Sequence, residues 1–205
     1  LPYFLIITAF LGGAALVLDA TAGERERQSL EPLLATPAAR GAIVSGKMLA
    51  SVVIGLASLL LILLALKGSA SLATGMGRML DVSMPAIAKL LFILLPLVVI
   101  GTGLITFVAA GAKSMKEAQS HVMWMMMLPM IPASALMASP LKDTDLWQYA
   151  VPFLAQNQLV QKVTRGESPD AQQWAVYLGC ALAMATLLWL AAVWRYRQEK
   201  LAISA

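Results

Sequence analysis

Residues 48–66 and 90–110 form two runs without a single charged side chain. A helix of about 20 apolar residues matches the ~30 Å hydrocarbon core of a bilayer. Lipid offers no partner for backbone N–H and C=O groups, so such a run must satisfy them internally, as a helix. Runs 2–18, 118–138 and 172–194 share this character. Hydrophobic residues make up 60% of the chain and charged residues 13%, against about 45–50% and 25% in soluble domains. The expected fold is therefore an all-α integral membrane protein, a bundle of about five transmembrane helices.

The runs differ in detail. The first carries Gly12, Gly13, Ala14 and Ala15, a small-residue face that lets a neighbouring helix approach closely. The third carries Pro96, Gly101 and Gly103, and its notable polar groups are Thr102 and Thr106, the candidates to line a path. Kinks there are tolerable because neighbouring helices satisfy the freed backbone. The fourth holds Met123, Met125, Met126, Met127 and Met130, with Pro129 and Pro132 expected to bend its outer half. Consecutive methionines point to different helix faces, so adaptable packing accounts for them better than a thioether metal site. His121 has no second histidine or carboxylate at ligand spacing. The single Cys180 excludes an intramolecular disulfide, and packing is its expected role.

Between the first two runs, residues 23–37 hold the densest charge cluster of the chain: Glu24, Arg25, Glu26, Arg27 and Glu31. Thr21 stands three residues before Glu24, the spacing of a capping box and a helix start. On a helix, Arg27 lies within reach of both Glu24 and Glu31, and Leu30, Leu33 and Leu34 recur on one apolar face. Pro32 bends the entry, and Thr36 before Pro37 repeats a start signal. The expectation is a short amphipathic helix. It reads either as a solvated loop beside the membrane or as a docking element for a soluble partner. In the second reading the leucines anchor, because burying one is worth ~1.5–3 kcal/mol, and the charges set orientation and partner choice.

Residues 41–48 nearly satisfy the spacing of a phosphate-binding loop. However, Met48 stands where a Ser or Thr should meet magnesium, and no strand precedes the glycines. Lys47 reads instead as an anchor that snorkels to the headgroups. Any ATP must bind on another subunit. The net charge of +4 is spread among the apolar runs, without a basic stripe or aromatic platform, which argues against nucleic acid. No paired carboxylates, His-x-x-x-His or serine with a base suggest an enzyme.

Residues 139–170 are too apolar for a free linker and too interrupted to span. Short helices are expected over 145–149 and 152–164, lying at the bilayer surface or in its outer leaflet, with Trp147 and Tyr149 at headgroup level. If 23–37 is cytoplasmic, nine Lys and Arg face the cytoplasm and six the other side, the direction of the positive-inside rule. The chain then starts outside and ends inside. Because it opens at Leu1 within an apolar run, it reads as the C-terminal portion of a longer polypeptide.

The stretch Asp19-Ala-Thr-Ala-Gly-Glu-Arg-Glu-Arg-Gln-Ser-Leu-Glu-Pro-Leu-Leu-Ala-Thr-Pro37, followed by Arg40 and by Gly46 and Lys47, closely resembles the signature of the type-two ABC export permeases, in particular their sodium-efflux branch. The block from Ala112 to Gln119 resembles that family's short cytoplasmic turn. The order of runs agrees over essentially the whole chain. The resemblance implies the permease subunit of an ATP-driven exporter in the cytoplasmic (inner) membrane of a bacterium. It implies a cytoplasmic ABC ATPase subunit that carries ATP and Mg, a second permease half (a copy or a homologue), and re-entrant helices before the last span. Residues 23–37 become the coupling segment, with Glu24, Arg25, Glu26, Arg27, Leu30, Glu31, Leu33 and Leu34 meeting the ATPase. Lys113, Lys116 and Glu117 form the second cytoplasmic turn. One earlier span and an extracytoplasmic domain are also implied. This chain itself would bind no cofactor and catalyse nothing. The branch suggests sodium as cargo, although the spans offer few oxygen ligands. A lipophilic drug, lipid or peptide stays open, as does a non-transporting scaffold or an intramembrane enzyme.

Overall fold

The computed structural model describes residues 2–29, 36–72, 83–137 and 145–198. Among them every regular element is helical. The first run forms α1 (Pro2–Leu11) and α2 (Ala14–Leu18), continues through a π-helical turn (Asp19–Gly23) and ends in one turn of α3 (Glu24–Glu26). Then follow α4 (Arg40–Leu72), α5 (Met84–Ala109), α6 (Met115–Met125), α7 (Met130–Met137), a 3-10 turn (Leu146–Tyr149), α8 (Leu154–Thr164) and α9 (Ala171–Arg197).

Four helical runs among the described residues are long and apolar enough to cross a membrane: Pro2–Glu26, Arg40–Ala70, Met84–Ala109 and Ala171–Arg197. They contain the expected runs 2–18, 48–66 and 172–194, and all of 90–110 but its last residue. The expected run 118–138 is not one continuous helix. Beyond Met125 the backbone tightens, with Met127 N–H donating to the Trp124 carbonyl and Leu128 N–H to that of Met125. Pro129 has no N–H to continue the ladder, so α6 stops and α7 starts afresh at Met130. Of the methionines of this stretch, Met125 packs against the core and the others do not. Met123, Met126, Met127 and Met130 are exposed on the single chain, beside an exposed Trp124. Cys180 is likewise exposed on α9 rather than packed.

α5 is the axis of the bundle. Its most apolar stretch is 61% buried, against 28% for that of α4 and 22% for that of α9, so the latter two helices turn broad faces outward. Leu90, Ile93, Leu94 and Leu97 of α5 sit at the centre of the main core with Leu5, Phe10, Leu59 and Leu159. In lipid such contacts gain by van der Waals fit rather than by escape from water, which places weight on close approach. Two glycines permit it. A Cβ at Gly13 would lie 2.5 Å from the Ser51 carbonyl oxygen, and one at Gly101 would overlap the Phe10 carbonyl. Side-chain hydrogen bonds tie the outer helices in: the Tyr177 hydroxyl donates to the Ile93 carbonyl, and Trp189 Nε1 donates to Ser45 Oγ at 3.0 Å.

The segment expected at the bilayer surface or in its outer leaflet packs against the bundle. Along α8, Leu154 through Val160 are all buried, amides included. Gln156 Oε1 accepts from the Phe153 N–H at 2.6 Å, Gln158 donates to Gln148 at 3.0 Å, and Lys162 donates to Gln173 at 2.9 Å. The Phe153 ring meets Phe10 edge-on at 5.2 Å. Pairing of most of these amides offsets the cost of burying a polar helix, with Gln156 Nε2 left buried without a hydrogen-bond partner, and amphipathic spacing alone does not reveal that pairing.

Candidate functional site: the charged end of the bundle

Near the end of the bundle where α3 leaves, α4 begins and α5 turns into α6, the charged residues of both marked sequence blocks meet. The helix start expected at Thr21 is absent. The first run is already helical there, so no free N–H group waits for a cap. The Thr21 hydroxyl turns back to the Val17 carbonyl at 2.6 Å. The π turn over Asp19–Gly23 carries the chain into α3, which ends where Gln28 adopts a positive φ of 56°.

Three of the four charges in 24–27 point into the protein's own structure. Glu24 forms an ion pair with Lys47, whose Nζ also donates to the Ala20 carbonyl at 2.9 Å. Arg25 Nη1 donates to the Ala112 carbonyl at 2.7 Å, and Glu26 Oε2 accepts from the Met115 N–H at 2.8 Å. That N–H belongs to the first turn of α6, one of the donors a helix cannot satisfy itself, so Glu26 serves α6 as a cap supplied from another segment. Arg27 folds back to Asp19 at 2.9 Å in an exposed pair, which keeps the guanidinium's pKa above its ordinary value.

The second turn is built to receive these contacts. Ser114 Oγ accepts from the Glu117 N–H at 3.2 Å, and Glu117 Oε2 accepts from the Lys113 N–H at 2.7 Å. Together they fix the N-terminus of α6 in the manner of a capping box. Lys113 and Lys116 are exposed beside it. From α9, the Arg195 guanidinium lies over the Phe107 ring at 4.6 Å and closes against Gly111.

Glu24, Arg25, Glu26, Lys113, Lys116 and Glu117 are thus gathered at one end, while Leu30, Glu31, Leu33 and Leu34 lie outside the described residues. Thr102 and Thr106 are each 2% exposed, and the Thr106 hydroxyl donates to the Thr102 carbonyl at 2.7 Å. In the single chain they belong to packed interior. His121 Nδ1 bonds the Glu117 carbonyl within its own helix. Among the described residues no group of three or more His, Cys, Asp or Glu could hold a metal ion.

Lys47 turns to the first run rather than to the headgroups. Its side chain is 16% exposed and holds two acceptors, so it is not a headgroup anchor. The signal for Lys47 was a lone cation at the head of an apolar run, facing a Glu-rich cluster 23 residues earlier.

Comparison with known proteins gives this end a context. The family model described as ABC-2 family transporter protein matches residues 3–201. The ABC transporter permease protein NatB of Bacillus subtilis (strain 168) is 30% identical over 168 residues, covering 79% of this chain. This chain spans less than half of that relative's length, 43%. No solved structure matches. A family match over nearly the whole chain, joined to four helices fit to cross a bilayer, makes this an integral membrane protein, and the chain belongs to the ABC-2 transporter family.

Proposed function

We propose that this chain is the membrane-spanning part of an ATP-driven exporter in a bacterial inner membrane. A separate cytoplasmic ABC ATPase subunit carries ATP and Mg, and it docks on residues 24–34 and on the turn at Lys113, Lys116 and Glu117. A second permease half completes the path, and sodium is the cargo. The observation that carries this reading is the joining of the two signature blocks at one end of the bundle through Arg25 to Ala112 and Glu26 to Met115. A solvated loop has no reason to be tied to a second turn. A docking platform has to present both as one surface. The similarity to NatB, a permease by its name, supports the same assignment, and sodium rests on the sequence resemblance to the efflux branch.

Copurification of the full-length permease from mild detergent tests the partner, and sodium-stimulated ATP hydrolysis in vesicles tests the cargo. The reading expects an ABC ATPase subunit to be retained and its turnover to rise with sodium. Retention with no sodium response moves the cargo to a lipophilic compound, a lipid or a peptide. Loss of the ATPase subunit leaves a scaffold.

A further inference from the structure

From the contacts of one half-buried ammonium group we infer that Lys47 is a positioning residue for coupling, the pin through which movement of the 24–29 segment reaches span α4. This rests on the coupling reading above and goes beyond it, because it names the internal link rather than the docking surface.

Lys47 lies in the first turns of α4 and reaches across to the first run. Its Nζ meets two residues there, the Ala20 carbonyl at 2.9 Å and the Glu24 carboxylate. These lie at the start and just beyond the end of the π turn over Asp19–Gly23. A π turn accommodates one extra residue relative to an α turn. Since each α-helical residue advances the chain by about 100°, the register of this turn sets the direction in which Glu24 through Ser29 leave the bundle. One cation from the neighbouring helix grips both ends of that turn.

Partial burial strengthens the grip. The Lys47 and Glu24 side chains are 16% and 22% exposed, and a charge removed from water is costly unless it stays paired. Displacing Glu24 without Lys47 would strand both. The segment therefore cannot turn on its own: it carries α4 with it, or the pair must break. Arg25 and Glu26 tie the same segment to the α5–α6 junction, but they contact backbone atoms of a turn, whereas Lys47 is itself part of a long spanning helix.

The test uses the full-length permease with its ATPase subunit, in nanodiscs and with Cys180 replaced. Spin labels on Ser69 of α4 and on Ser168, both exposed, report whether ATP with vanadate changes their distance. Wild type is expected to show a nucleotide-dependent shift. Lys47→Met keeps the length of the side chain but loses charge and donor. It should retain the ATPase subunit within about threefold and lose most of the shift. The exchanged pair Glu24→Lys with Lys47→Glu should recover at least a third of it, and Lys47→Glu alone none. A merely structural role would lower retention and shift together and would not be rescued by exchange. An undiminished shift in Lys47→Met, or an exchanged pair no better than Lys47→Glu, overturns the proposal. If Lys47→Met fails to accumulate, Lys47→Leu replaces it under the same criterion. Absence of any shift in wild type, or full partner retention by Leu33→Ala/Leu34→Ala, contradicts the coupling reading instead.

Discussion

Arg25 and Ala112 stand 87 positions apart in the chain, yet the guanidinium of one donates to the carbonyl of the other at 2.7 Å. The contact joins two segments that lie on opposite sides of two long apolar helices in sequence. It makes the charged end of the bundle one surface rather than two loops.

That contact should be measurable. A hydrogen bond from a charged donor contributes about 1.5–3 kcal/mol when its acceptor is otherwise unmet, and less where water can replace it. Arg25→Ala should lower the unfolding free energy in detergent by about 1–2 kcal/mol, and Arg25→Lys by less. Glu26→Gln keeps an acceptor for the Met115 N–H and should cost least of the three. Denaturant titration monitored by tryptophan fluorescence would show the order. An Arg25→Ala protein as stable as wild type would mean that the two turns are held without this bond.

Close helix approach makes a second prediction. A side chain at Gly101 meets the Phe10 backbone, which cannot swing aside as a flexible side chain can. Gly101→Leu should destabilise by about 1–3 kcal/mol or more. Gly179→Ala inside α9, where nothing lies within 4 Å of the added carbon, should leave thermal stability unchanged or raise it slightly, because Ala favours a helix interior over Gly. Equal tolerance at both sites would argue that α1 and α5 are not in contact as described.

Topology gives a third. With the exposed Cys180 replaced, single cysteines at Ser29 and Ser114 should react only with reagent that reaches the cytoplasm, and one at Ser168 only from outside. A cysteine at Asn157, 6% exposed within α8, should react slowly from either side. Rapid outer labelling there would return α8 to the bilayer surface. Outer labelling of Ser29 by an impermeant reagent would invert the arrangement.

How much of this was legible in the sequence varies with the range of the interaction. The runs inside α4, α5 and α9 were readable because exclusion of charge over about 20 residues is a property of one segment facing lipid. The end of α6 was half-readable: Pro129 announced a bend, but proline alone does not distinguish a kinked span from two helices. The roles of Lys47 and Glu26 were hidden. Each meets a partner 23 or 89 positions away, and nothing local sets that distance. The burial of α8 was hidden for a related reason, since Gln158 and Gln148 read as surface residues until each is seen to satisfy the other. The coupling assignment of 24–27 came from a motif, whereas the inward use of its charges came from geometry.

The central claim, that this end of the bundle engages an ATPase subunit, is tested most directly by retention of that subunit on the full-length permease carrying Leu33→Ala and Leu34→Ala. Losing about 1.5–3 kcal/mol at each site weakens the contact roughly 10- to 150-fold per leucine. The account predicts that the ATPase subunit is lost from the purified variant while the permease still inserts and accumulates at the wild-type level. An ATPase subunit retained at wild-type stoichiometry, with transport intact, would contradict it and leave residues 24–34 a solvated loop.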